Sequence, residues 1–127
     1  MIVIDTSALM AITQNEATAD QCTACLRNSD ETLISAATLA EFLVVAQSRG
    51  VGSQVQSLID HFDIIIAPVD HSTAEQVAFT YKTWGKGNHP ARLNLVDCFS
   101  YALAKGMNCP LLFVGNDFSQ TDIESAL

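Results

Sequence analysis

Four acidic residues stand alone in apolar surroundings. Asp5 follows "MIVI", Glu41 is the one charge in "ISAATLAEFLVVAQS" (34–48), Asp97 is the only acid between Arg92 and Lys105, and Asp117 lies three residues past "LLFV". On a helix the neighbours of Glu41 at three and four residues are Ala37, Thr38, Val44 and Val45, so this carboxylate belongs to no evident solvated face. Carboxylates brought together repel one another and hold protons unless a cation is present. All-oxygen donors of this kind suit Mg²⁺ or Mn²⁺. A divalent ion there neutralises a phosphodiester, lowers the pKa of a water and orients it for in-line attack, which is chemistry on phosphate esters.

Each acid also has a structural role open to it. Thr38 and Glu41 have the T-x-x-E spacing of a capping box, and Asn94 and Asp97 resemble a cap with an acid three residues on. Thr6 and Ser7 can hydrogen-bond a ligating carboxylate or simply cap the first helix. Asn116, beside Asp117, can donate or accept at the same rim or turn the chain. Four isolated acids at apolar places are poorly explained by caps alone.

The elements that would position them alternate. Short apolar runs at "IVI" (2–4), "TLIS" (32–35), "IIIA" (64–67) and "LLFV" (111–114) read as strands, separated by patterns of helical period. Helices are expected at about 7–13, 16–28, 38–48, 53–62, 71–84, 94–105 and, short, near 119–126, with Gly and Pro between them. Strands so short and apolar suit an α/β sandwich of three layers, a parallel sheet covered by helices on both faces. Sites in open α/β sheets form beyond the carboxyl ends of the strands. Asp5, Glu41 and Asp117 would all project there, and a sheet-covering helix could present Asp97 to the same edge.

At 127 residues the chain fits one domain, 1–127, with a real core. A net charge of −8 argues against a general nucleic-acid binder, so an anionic partner needs local help from metal ions or a basic patch. The four cysteines follow no secretory leader, and "CTAC" has no second pair or histidine at zinc-finger spacing, which points to reduced thiols in the cytoplasm. No apolar run approaches the length of a membrane span.

"IVIDTSAL" (2–9), "AATLAEFLVVA" (36–46), "HPARLNLVDCFSYALAK" (89–105) and "LLFVGNDFSQTDI" (111–123) together resemble the successive motifs of PIN-domain ribonucleases, most closely the VapC toxins of bacterial toxin–antitoxin pairs. By that resemblance Asp5, Glu41, Asp97 and Asp117 fall on the family's acidic metal-binding residues, and the implied activity is Mg²⁺- or Mn²⁺-dependent cleavage of RNA. The family also implies a homodimer and a cognate VapB-type antitoxin whose tail enters the active-site groove. Two departures stand out: Val96 where relatives usually carry glycine before the third acid, and Val114 where many carry lysine. The first is expected to narrow the site or tilt the helix start, and the second to remove a compensating positive charge.

Three of the six basic residues, Lys82, Lys86 and Arg92, lie in "YKTWGKGNHPAR" (81–92) with His89, Tyr81 and Trp84. Basic groups with an aromatic ring are what single-stranded RNA contact requires, although Trp84 reads more readily as a core anchor. His61 and His71 read as surface or helix-end residues. A haloacid-dehalogenase phosphatase would need a second acid where Ser7 stands. The rival of another class is a non-catalytic PIN-like module that binds protein or RNA.

Overall fold

Alternation of side chains along the strands decides the architecture. In the computed structural model, which describes residues 1–127, β1 (Ile2–Ile4) sends Ile2 and Ile4 to one side and Val3 to the other. Its neighbours repeat the pattern. In β2 (Thr32–Ser35), Ile34 joins the first side and Leu33 the second, and in β4 (Leu111–Leu112), Leu112 and Leu111 divide the same way. Both faces are therefore apolar, and both must be covered.

On the first face lie α1 (Thr6–Thr13), α2 (Ala19–Asn28), α3 (Ala36–Ser48) and α4 (Gly52–His61), packed through Leu9, Leu26, Phe42 and Val55. On the second lie α5 (His71–Trp84) and α6 (Leu95–Gly106), packed through Val77, Cys98 and Tyr101. With β3 (Ile65–Ala67) the sheet is parallel throughout, in the order β3-β2-β1-β4. Val3 is in register with Leu33 on one side and Leu111 on the other. The three-layer α/β arrangement expected from the sequence is the one observed. No helix is long and apolar enough to cross a membrane.

The predicted helices are present within a few residues of their expected ends, save one. Residues 119–126 form turns and an extended stretch: Leu111 N donates to Glu124 O at 2.9 Å, and Ala126 N donates to Leu111 O at 2.9 Å. The cause is non-local, since the outer edge of β4 would otherwise present unpaired backbone groups. Ser119 and Thr121 bond instead to the carbonyls of Asn116 and Phe118, which favours turns over a helix. Strand β4 is also shorter than "LLFV", because Val114 N turns away to Ser7 Oγ, 3.0 Å off.

A polar strap fixes this last segment. Tyr101, nearly buried on α6, receives the Trp84 indole N–H at 3.0 Å and donates to Asp122 Oδ1 at 2.5 Å, while Lys105 Nζ reaches Asp122 Oδ2 at 3.1 Å. Burial, reinforced by the Asp122 carboxylate, pushes the Tyr101 hydroxyl up to about 12, and the same hydrogen bond holds Asp122 below the usual carboxylate range. Tyr101→Phe removes a charge-assisted bond and leaves the indole donor unpaired, so unfolding in urea is expected to lose about 2 kcal/mol. Amide exchange should quicken first at Leu111 and Ala126.

Candidate functional site

Strand order reverses direction at β1, with β2 on one side and β4 on the other, and Asp5 stands at its carboxyl end. That is the crevice in which open parallel sheets place ligands. Asp5 N donates to Leu112 O at 3.0 Å, so the chain is still held by the sheet at the residue where α1 begins. The Asp5 side chain caps α1, accepting at Oδ2 from Ser7 N (3.1 Å) and Ser7 Oγ (2.8 Å). Ser7 Oγ in turn accepts from Val114 N. One hydroxyl thus ties the end of β1 to the end of β4.

Glu41 is not a cap. Ser35 caps α3 by accepting from Ala37 N at 3.3 Å, which starts the helix a turn earlier than the T-x-x-E spacing suggests and leaves Glu41 in the second turn. Its Oε1 accepts from Thr6 Oγ1 at 2.9 Å. Asp97 does cap: Asn94 Oδ1 accepts from Asp97 N at 2.8 Å, and Asp97 Oδ2 accepts from Asn94 N at 3.0 Å. The capping box and the site are here the same residues. Asp117 is exposed, beyond the turn that Gly115 makes at a φ of +95°.

The four acids share one electrostatic environment. Asp97 is only 9% exposed, and burial is the main force raising its carboxyl to about 7. The Asn94 N–H opposes this, while the charges of Asp5, Asp117 and Glu41 raise it further. Neither ion pair of the structure, His71–Glu75 or Lys105–Asp122, involves these residues. The group is open: no three His, Cys, Asp or Glu side chains converge far enough to hold an ion unaided. Asp97 Oδ1 and Glu41 Oε2 accept no hydrogen bond from the protein. Hard oxygen donors of one sign, with free lone pairs and no cationic neighbour, fit Mg²⁺ or Mn²⁺, which keep several waters and take one or two carboxylates directly.

A PIN domain family model matches residues 2–124. The chain belongs to the PIN-domain family. Within it, a VapC ribonuclease of Mycobacterium bovis and ribonuclease VapC42 of Mycobacterium tuberculosis are each 39% identical over 129 residues, covering 98% of this chain and of theirs. Ribonuclease VapC30 of M. tuberculosis is 40% identical over 127 residues, with 96% and 95% covered. The fold agrees with solved PIN structures: M. tuberculosis VapC20, a toxin that cleaves the sarcin–ricin loop, superposes with a TM-score of 0.78 at 17% identity, covering 97% of this chain and 96% of that one. A toxin–antitoxin complex from Klebsiella pneumoniae gives 0.74 at 19% identity, with 96% and 93% covered. This PIN domain is a VapC-type ribonuclease.

Two departures from the VapC pattern look different in three dimensions. Val96 is an ordinary residue of the first turn of α6 and is not among the residues with positive φ, so the helix starts here without backbone strain. Val114 packs part-buried against the core around Ile4 and Leu112, and its backbone serves Ser7.

The basic stretch is braced internally. Trp84 bonds Tyr101 and meets His89 edge-on at 4.7 Å, and Tyr81 OH donates to Lys86 O at 3.2 Å. Gly85, which ends α5, lies so close to Tyr81 that a Cβ would stand 2.3 Å from its carbonyl oxygen. Lys82, Lys86 and Arg92 are exposed and make no bond or ion pair with the four acids.

Sequence reasoning missed Ser100 and underread Thr38. Both are fully buried, and Ser100 Oγ donates to Asp5 Oδ1 at 2.7 Å. The available signal was spacing, since each hydroxyl lies three residues from a lone acid on an apolar helix.

The raised Asp97 carboxyl sets a pH dependence. The folded state holds the Asp97 proton up to about 7 and the unfolded chain only to about 3.8, so this contribution to stability is full below pH 3.8 and is lost as pH rises through 7. In EDTA, the parent should lose a few kcal/mol relative to Asp97→Asn between pH 4 and pH 8. Parallel pH profiles of melting temperature for the two proteins would exclude it.

Proposed function

We propose that this VapC-type PIN domain is a Mg²⁺- or Mn²⁺-dependent endoribonuclease toxin, held inactive by a VapB-type antitoxin. The observation that carries the reading is the set of four lone carboxylates at the switch point of the sheet, with no cationic partner and with Asp97 raised toward neutrality. Asp5, Asp97, Glu41 and Asp117 would hold the ion, with waters completing its shell. When bound, the ion stabilises the ionised carboxylates, neutralises the phosphodiester and lowers the pKa of the attacking water.

The chain's own residues hold this arrangement. Ser7 fixes Asp5, Thr6 aims Glu41, and Asn94 holds Asp97 Oδ2 so that Oδ1 is left to face the site. Asn116, exposed next to Asp117, is placed to bond a water or a phosphate oxygen. Lys82, Lys86 and Arg92 supply positive charge for the RNA backbone, in a protein whose net charge of −8 would otherwise repel it. Trp84 and Tyr81 serve as supports of that loop.

Masking by an antitoxin draws support from structural neighbours, while pairing of two copies follows from the family resemblance alone. One structural neighbour is a toxin–antitoxin complex, and another is VapBC2 from Rickettsia felis bound to a promoter DNA fragment, with a TM-score of 0.69. Four unpaired cysteines suit the reducing cytoplasm.

Attack by water needs no neighbouring 2′-hydroxyl, so the products should carry a 5′-phosphate and a 3′-hydroxyl. Cyclic-phosphate ends would rule out this mechanism. EDTA and Asp5→Asn should each abolish cleavage, and Thr6→Val, which deprives Glu41 of its donor, should slow it by about tenfold. Binding of RNA without cleavage, at every metal concentration, would favour the non-catalytic module instead.

Val96→Gly provides a separate check. An unstrained valine in a helix turn predicts a stability loss of up to about 1 kcal/mol on going to glycine, with cleavage at saturating metal unchanged. A large gain in cleavage would restore the view that this valine narrows the site.

A further inference from the structure

Ser100 and Thr38 are helical hydroxyls that do not satisfy themselves within their own helices as Thr13, Thr80 and Thr83 do. Thr13, Thr80 and Thr83 each donate to the carbonyl four residues back, at 3.0, 2.9 and 2.9 Å. Ser100, on α6, and Thr38, on α3, instead direct their hydroxyls across the fold, 3.0 Å from each other. Both are wholly buried. A buried hydroxyl is costly unless paired, and either could have been satisfied within its own helix.

The direction of the proton chain follows from donor capacity. An ionised carboxylate only accepts, and a serine has one proton to give. Ser100 spends it on Asp5 Oδ1, at 2.7 Å, so Thr38 must donate to Ser100. The lone pairs of Asp5 can be counted the same way. Oδ2 has two sites, and Ser7 N and Ser7 Oγ take both. Oδ1 has two sites, of which Ser100 takes one. The one site of Asp5 left for a ligand is therefore on the oxygen that Ser100 holds.

We propose that Ser100 is a positioning residue that aims the free lone pair of Asp5 into the site, with Thr38 as its donor. The torsion about the carboxylate is intrinsically broad. Ser7 pins one oxygen and Ser100 the other, from helices on opposite faces of the sheet. This inference rests on the metal-site reading of the preceding section.

The test is calorimetric titration with Mn²⁺ alone, beside RNA cleavage. Ser100→Ala should weaken Mn²⁺ binding by about tenfold, within the range for partners of metal ligands, and excess Mn²⁺ should recover most of the cleavage rate. In an Asp5→Asn background the same change should alter Mn²⁺ affinity by less than about twofold, because its effect passes through Asp5. Unchanged affinity in Ser100→Ala, or an equal loss in the Asp5→Asn background, overturns the assignment while leaving the metal site standing. A parent protein that does not bind Mn²⁺ overturns both. Should Ser100→Ala fail to fold, Ser100→Cys, whose thiol is a weaker donor, carries the same comparison: reduced affinity supports the role, and parental affinity refutes it.

Discussion

Holding like charges together at the end of an apolar sheet is the constraint around which this molecule is arranged. Asp5 and Asp97 are largely withdrawn from solvent, and no lysine or arginine lies against them. What offsets the charge is a ring of neutral donors: Ser7, Ser100, Thr6 and the backbone N–H groups of Ser7 and Asn94. Donors of this kind satisfy a carboxylate without neutralising it. The site keeps its negative potential, and with it an attraction for a small dication that a salt bridge would have cancelled.

The same economy appears in the helix starts. Asp5 caps α1 and Asp97 closes the capping box that Asn94 opens on α6, so two helix N-termini place their partial positive charge beside the carboxylates. This is why a structural and a functional reading of Asp5 and Asp97 could both be right. Glu41 differs: Ser35 had already capped α3, and its carboxylate is held by Thr6 of another helix.

Much of this was legible because a charge in an apolar segment is an anomaly that sequence displays directly. Strand positions were readable for a similar reason, since "IVI" and "TLIS" supply side chains to two opposed cores. What could not be read was non-local. Residues 119–126 carry enough polarity and spacing for a helix, but the demand of the β4 edge for partners, expressed through Leu111, Glu124 and Ala126, overrides local preference. Ser100 stayed hidden because a serine on an apolar helix ordinarily satisfies itself, and only the crossing of α3 and α6 shows that it does not. At Val96 the helix asks nothing unusual of the backbone, and whether the side chain narrows the site depends on a substrate that the sequence does not display.

The order in which the chain builds its sheet has a bearing on synthesis. β1 is made first, yet it lies inside the sheet and takes β4 as a neighbour; Asp5 waits for Ser100, 95 residues on, and Ser7 for Val114, 107 residues on. Contacts so distant along the chain form late, after a long loop has been closed. A growing polypeptide that already carries Asp5 and Glu41 can pair β1 with β2 and β3, but it lacks the β4 neighbour that holds Asp5 N and Ser7. The four acids therefore come together only when the segment bearing Val114 and Asp117 has joined the fold, and a chain still short of that segment carries an incomplete cluster.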